Sequence, residues 1–183
     1  FFRLADPYNI HQETPQGVRI LRSTLTENGR LDDVAIFDEY GEIVELLTDD
    51  DFFNQVPKWS PDGSKILFSS NRERLSGFDV FVMNGDGTNL VKVSGEGGGS
   101  GEWWSPDRSR IVFSGILASG TENIQLFTVD PDGGNLVQLT DLSGHAYGPR
   151  WSPDGGRIAF SLTTLSPGKG DMGERVQETQ QVP

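Results

Sequence analysis

The chain contains no cysteine and only two histidines. The first absence excludes disulfides, thiolate metal sites and cysteine nucleophiles, while leaving the compartment open. His11 and His145 fall in irregular segments without metal-ligand spacing and are expected as solvated or turn residues. Positive charge is scarce: 15 Lys and Arg face 27 Asp and Glu, for a net charge of −12. Such a surface repels phosphate backbones, so nucleic acid is excluded as the expected partner. No apolar run is long enough to span a membrane, and no window has the period of an amphipathic helix. Serine is plentiful, yet no G-x-S-x-G elbow occurs. Nothing in the sequence supplies a base, a nucleophile and an orienting group together, so no catalysis is expected.

What is present is glycine (23), proline (10) and a modest 34% of hydrophobic residues in 183. That composition suits short strands joined by turns. One phrase recurs: Trp59-Ser60-Pro61-Asp62-Gly63, Trp104-Ser105-Pro106-Asp107-Arg108 and Trp151-Ser152-Pro153-Asp154-Gly155. A worn copy, Glu13-Thr14-Pro15-Gln16-Gly17, precedes them. The starts at 13, 59, 104 and 151 are 46, 45 and 47 residues apart, the period of a repeated supersecondary unit.

Each phrase leads into an alternating strand: Ile66 and Phe68, Ile111 and Phe113, and Ile158 and Phe160 are expected on one buried face. In the first unit Arg22 stands where the others carry Phe. A second strand follows (Val34–Phe37, Val80–Met83, Leu126–Val129), then a Gly-rich turn and a third strand (Val44–Thr48, Leu90–Ser94, Leu136–Thr140). With the strand that ends at Trp, each unit is a four-stranded antiparallel sheet. In the phrase, Pro61, Pro106 and Pro153 preset φ, and Asp62, Asp107 and Asp154 bond back to the backbone. Gly63 and Gly155 take the left-handed conformation. Trp59, Trp104 and Trp151, with Phe68, Phe113 and Phe160, are expected as packing between sheets rather than as ligand-stacking groups.

The succession of W-S-P-D-G, x-I-x-F-S, an aliphatic strand, D-G-x-N and a strand ending L-T resembles the TolB-type propeller repeat, a cousin of the WD repeat. The resemblance covers about residues 13 to 162. It implies an all-β fold of β-propeller blades, each of four antiparallel strands, about three and a half in this chain. The departures are Arg108 for Gly, the missing Trp of the first unit, and Gly95 to Gly101. That last stretch is expected as a long flexible connection.

Propellers generally close with at least four blades, so three complete units plus two strands of a fourth make an incomplete propeller over 1–162. Residues 163–183 are expected as a polar tail, disordered or strand-donating, with one weak strand candidate at Arg175 to Gln177. An open stack would expose large apolar side chains at each end, at about 1.5–3 kcal/mol per residue. Three resolutions follow: a fragment of a longer propeller, a ring closed by two chains, or head-to-tail stacking into a filament. Phe1, Phe2 and Leu4 are the candidate inter-subunit strand.

The expected function is a non-catalytic scaffold whose partner is itself. The alternatives are a propeller fragment that binds an envelope protein or peptide, or the gating domain of a serine peptidase. No cofactor is expected. The turns at Asn84–Asn89 and Asp130–Asn135 only faintly resemble calcium loops, because they lack the distant bidentate Glu. Asp49-Asp50-Asp51 is expected as a solvated run. The chain opens on Phe1 rather than Met, which suggests a processed product with its export signal removed, secreted or periplasmic.

Overall fold

The computed structural model describes residues 10–14, 17–25, 31–74, 76–116, 123–163 and 176–181. Fifteen strands and no helix occur among them. They are β1 (Ile10–Thr14), β2 (Gly17–Leu25), β3 (Leu31–Phe37), β4 (Ile43–Leu46) and β5 (Asn54–Trp59). Next come β6 (Lys65–Ser70), β7 (Asp79–Asn84), β8 (Val91–Lys92), β9 (Gly99–Trp104) and β10 (Ile111–Gly115). The last are β11 (Gln125–Val129), β12 (Val137–Gln138), β13 (His145–Trp151), β14 (Arg157–Thr163) and β15 (Val176–Gln181). They form three four-stranded sheets, β1 to β4, β5 to β8 and β9 to β12, and one three-stranded sheet, β13 to β15. All pairings are antiparallel between consecutive strands, which is the plan of a propeller blade.

The turn phrase joins the first and second strands of the blade. Ser60 donates its hydroxyl to Asp62 Oδ1 at 2.7 Å and accepts from the Lys65 amide at 3.0 Å. Asp62 Oδ1 also accepts from the Ser64 amide at 3.2 Å. The same bonds recur at Ser105 and Asp107, and at Ser152 and Asp154. The fifth residue is left-handed in all three copies, with φ of 70° at Gly63, 69° at Arg108 and 72° at Gly155.

Three apolar clusters lie between successive blades. Leu21, Val34 and Ile36 of the first blade meet Trp59, Ile66, Phe68, Phe81 and Met83 of the second. Leu67, Val80, Val82 and Val93 meet Trp104, Ile111, Phe113, Phe127 and Val129 of the third. Val112 and Leu126 meet Ile158, Phe160 and Leu162 of the fourth, with Trp103 and Trp151 at the margin. Strand alternation explains this division: Ile66 and Phe68 face backward while Leu67 faces forward.

The structure departs from the sequence-based expectations in three places. The glycine stretch 95–101 is not a long flexible connection: Gly99 begins β9, paired with Gly115. A Cβ on Gly99 would stand 2.4 Å from the Phe113 ring, and one on Gly115 would stand 2.5 Å from the Gly98 carbonyl. These glycines allow close approach rather than slack. Next, the chain does not leave the fourth blade at two strands. β15 pairs with β14 from Leu162↔Val176 to Arg157↔Gln181 and supplies a third strand from the polar stretch 163–183. Finally, β14 turns Ile158, Phe160 and Leu162 inward and presents Arg157, Ala159, Ser161 and Thr163 on its other face. That face of β14 is therefore mostly polar, and β13 sets the stacked His145 and Tyr147 rings beside it, opposite Thr163 and Ser161. Phe1, Phe2 and Leu4 lie outside the described residues.

Candidate functional site

The sheets fan out from their first strands. β9 touches β13 and β1 touches β5, while the outer strands β4, β8 and β12 make no comparable contact with the next sheet. The first strands therefore line the inner edge of the stack, and β5, β9 and β13 each carry a bulge, whereas β1 pairs with β2 in unbroken register. Two residues oppose one: Val56 and Pro57 opposite Phe68, Gly101 and Glu102 opposite Phe113, and Gly148 and Pro149 opposite Phe160. The first residue of each bulge is left-handed, with φ of 53°, 69° and 58°. For β-branched Val56 that conformation is strained, and bulges re-aim the side chains that follow them.

Those side chains are Lys58, Trp103 and Arg150, which sequence reasoning did not single out. The Arg150 guanidinium lies 3.9 Å from the Trp103 ring centre, and Lys58 Nζ lies 5.3 Å from it. Lys58 is buried and donates to the Val56 carbonyl at 3.1 Å. Burial holds its pKa below the ordinary lysine value, with the Glu102 charge opposing and the Arg150 charge adding to that shift. Glu102 is fully buried and its Oε2 accepts from the Ser69 hydroxyl at 2.9 Å, while Oε1 has no hydrogen-bond partner. At the next junction Pro149 stands where Glu102 would, and the equivalent hydroxyl, Ser114, is buried without a partner.

A second repeated device latches the outer strand. Thr48, Ser94 and Thr140 hydroxyls accept from the amides of Val34, Val80 and Leu126 at 2.9, 3.0 and 2.9 Å. Each hydroxyl donates to a buried side chain, Asp33, Asp79 or Gln125, at 2.8, 3.0 and 2.7 Å. Asp79 also meets Arg74 Nε at 3.0 Å and Lys92 Nζ at 3.2 Å. Asp50, expected as merely solvated, pairs with Arg72 at 3.0 Å.

The sequence-singled residues thus lie at two places. Trp59, Trp104, Phe68, Phe113 and Phe160 are buried between blades, and Trp151 is half-buried. Trp104 Nε1 donates to the Lys58 carbonyl at 3.3 Å and Trp151 Nε1 to the Trp103 carbonyl at 3.4 Å. Pro61, Asp62, Gly63, Pro106, Asp107, Pro153, Asp154 and Gly155 line the turns at the far end of the first strands. His145 Nδ1 accepts from the Ile124 amide at 3.1 Å, a structural bond. No cluster of three potential metal ligands occurs among the described residues. No helix there is long and apolar enough to cross a membrane.

This blade plan matches solved proteins. The structure described as putative TolB from Agrobacterium tumefaciens superposes with a TM-score of 0.65 at 25% identity, over 88% of this chain and 55% of that one. The chain is built of TolB-like β-propeller blades. In sequence, these blades are 32% identical over 157 residues to an uncharacterized protein of Agrobacterium fabrum, covering 83% of this chain and 50% of that protein. They are 29% identical over 150 residues to an uncharacterized peptidase of Bacillus subtilis, covering 75% of this chain and 22% of that protein. No protein-family model matches. The TolB-like chain spans about half the length of the first of these relatives.

Proposed function

We propose that these blades act as a non-catalytic, exported interaction scaffold whose open stack is completed by a second copy of the chain. The observation that carries this is the fourth blade. Its β14 packs Ile158, Phe160 and Leu162 on the third blade and leaves Arg157, Ala159, Ser161 and Thr163 without a neighbouring sheet. A mostly polar face with one exposed aromatic, Tyr147, suits an interface that forms between folded chains, because such a face stays soluble until it is covered. The turn serines and aspartates support a structural role, since they spend their hydrogen bonds on one another and on local amides. Neither a cofactor nor a metal is required, and the partner is protein rather than nucleic acid.

Electron microscopy of the purified chain tests this. Rings or fibres are expected, and Ala159→Arg, which charges the open face, should disperse them. Single particles of one chain's size would contradict it. A second reading is favoured by the 50% and 22% coverage of the two relatives. In it the blades belong to a propeller completed within a longer polypeptide, which binds an envelope protein or peptide, or gates a peptidase domain.

A further inference from the structure

Successive turn phrases are bridged at one blade junction and not at the next. Between the second and third blades, Arg108 Nη1 lies 2.7 Å from Asp62 Oδ2. Arg108 reaches it from a φ of 69°, a conformation that residues other than glycine seldom adopt. Between the third and fourth blades the counterparts are Asp107 and Gly155. A Cβ on Gly155 would meet only Pro106 Cδ, at 3.8 Å. The space a guanidinium fills at one junction is open at the other.

That opening is a crevice of about 350 Å³ lined by Asp107, Asp154, Trp151, Val137 and Leu139 among others. Its counterpart between the second and third blades has Lys65, Val82 and Val91 in its wall but none of the aspartate or tryptophan of the phrase. Trp104 is accordingly buried, whereas Trp151 is half-buried. Asp107 Oδ1 takes the Ser105 hydroxyl and the Ser109 amide, and the Ser109 hydroxyl reaches Oδ2 at 2.8 Å, whereas Asp154 takes the Ser152 hydroxyl and the Gly156 amide on Oδ1 alone. Those bonds fix both carboxylates and hold them ionised. The one cation in the wall, Arg110, has its Nε 3.3 Å from Asp130 within its own blade.

We infer that this crevice is a receptor for an arginine side chain presented by a polypeptide partner. The guanidinium would lie between Asp107 and Asp154, its plane against Trp151 and its stem along Val137 and Leu139. Planar stacking and forked donation favour arginine over lysine. The site does not depend on self-association, because every residue in it belongs to one chain.

The test is a titration of the full chain with N-acetyl-arginine methylamide and with its neutral citrulline analogue, followed by amide and indole NMR shifts. Saturable shifts are expected at Gly155, Asp107 and the Trp151 indole, with a dissociation constant on the order of millimolar for so small a probe. Citrulline should bind about tenfold more weakly. Gly155→Arg should abolish binding, because it places an internal guanidinium in the crevice at a turn where Arg108 is already tolerated one blade earlier. If that variant does not fold, Asp107→Asn should weaken binding instead. Absence of saturable shifts, equal binding of citrulline, or binding unchanged in whichever variant folds would overturn the inference.

Discussion

Trp104 shows how one residue serves both packing and polarity. Its ring joins Leu67, Val80 and Val82 across the second junction, and its Nε1–H reaches the Lys58 carbonyl. Trp104→Ala should destabilise by about 3–5 kcal/mol through the cavity left behind. Urea unfolding checks this, and a loss under ~1 kcal/mol would place the ring outside the load of that junction. Lys58 and Glu102 are both buried, and the Glu102 charge acts on Lys58 at a distance rather than through an ion pair. Lys58→Met should cost about 1–3 kcal/mol, because it removes a buried donor and the cation that faces Glu102. The double variant with Glu102→Gln should recover part of the loss, and a double-mutant cycle measures it.

Asp62 predicts acid behaviour. Its carboxyl is held well below the usual range by the Ser60 hydroxyl first, then by Ser64 and Arg108, against partial burial. A depressed folded value means that the contribution is complete above the unfolded value of about 3.9 and is lost as pH falls through the folded one. Stability measured from pH 5 downward should therefore fall less steeply in Asp62→Asn than in the natural chain. These aspartates are legible in the sequence because their partners lie two residues away. The latch hydroxyls Thr48, Ser94 and Thr140 are not, since Asp33, Asp79 and Gln125 lie 15 residues earlier and form no local pattern.

At the scale of the strand, alternation and turn chemistry locate most elements, and β6, β10 and β14 follow directly from Ile66, Ile111 and Ile158. The failures have one physical source, which is contact between strands that one sequence does not display. Gly99 and Gly101 read as linker because glycine supplies slack in isolation, yet Phe113 demands the small size of Gly99, and Gly101 supplies the left-handed turn of the bulge. Gly99→Ala should destabilise by about 1–3 kcal/mol through forced displacement of that ring. Thermal unfolding checks this, and a neutral outcome would contradict the close approach. β15 showed only as a weak candidate at Arg175 to Gln177, because Val176–Gln181 has almost no apolar alternation, and its pairing with β14 is a backbone ladder. The bulges were hidden. Pro57 and Pro149 mark them, because proline inside a strand is at home at a bulge, but Glu102 gives no such signal.

At the scale of the whole molecule, the period of 46, 45 and 47 residues makes the blade plan legible. The end faces are not, because a repeat predicts what internal blades bury and says nothing of where the stack stops. Ala159 occupies the position at which Leu67 and Val112 fill internal junctions, so this face presents a small side chain there, beside the exposed Tyr147. The proposed completion by a second copy would be an association of folded units through polar surface and strand edges. Such contact is salt-sensitive and concentration-dependent. The most direct measurement is the molar mass of the full chain by light scattering over a dilution series. The account predicts a mass of at least two chains that falls towards one on dilution. A single 20.1 kDa species at every concentration would contradict it.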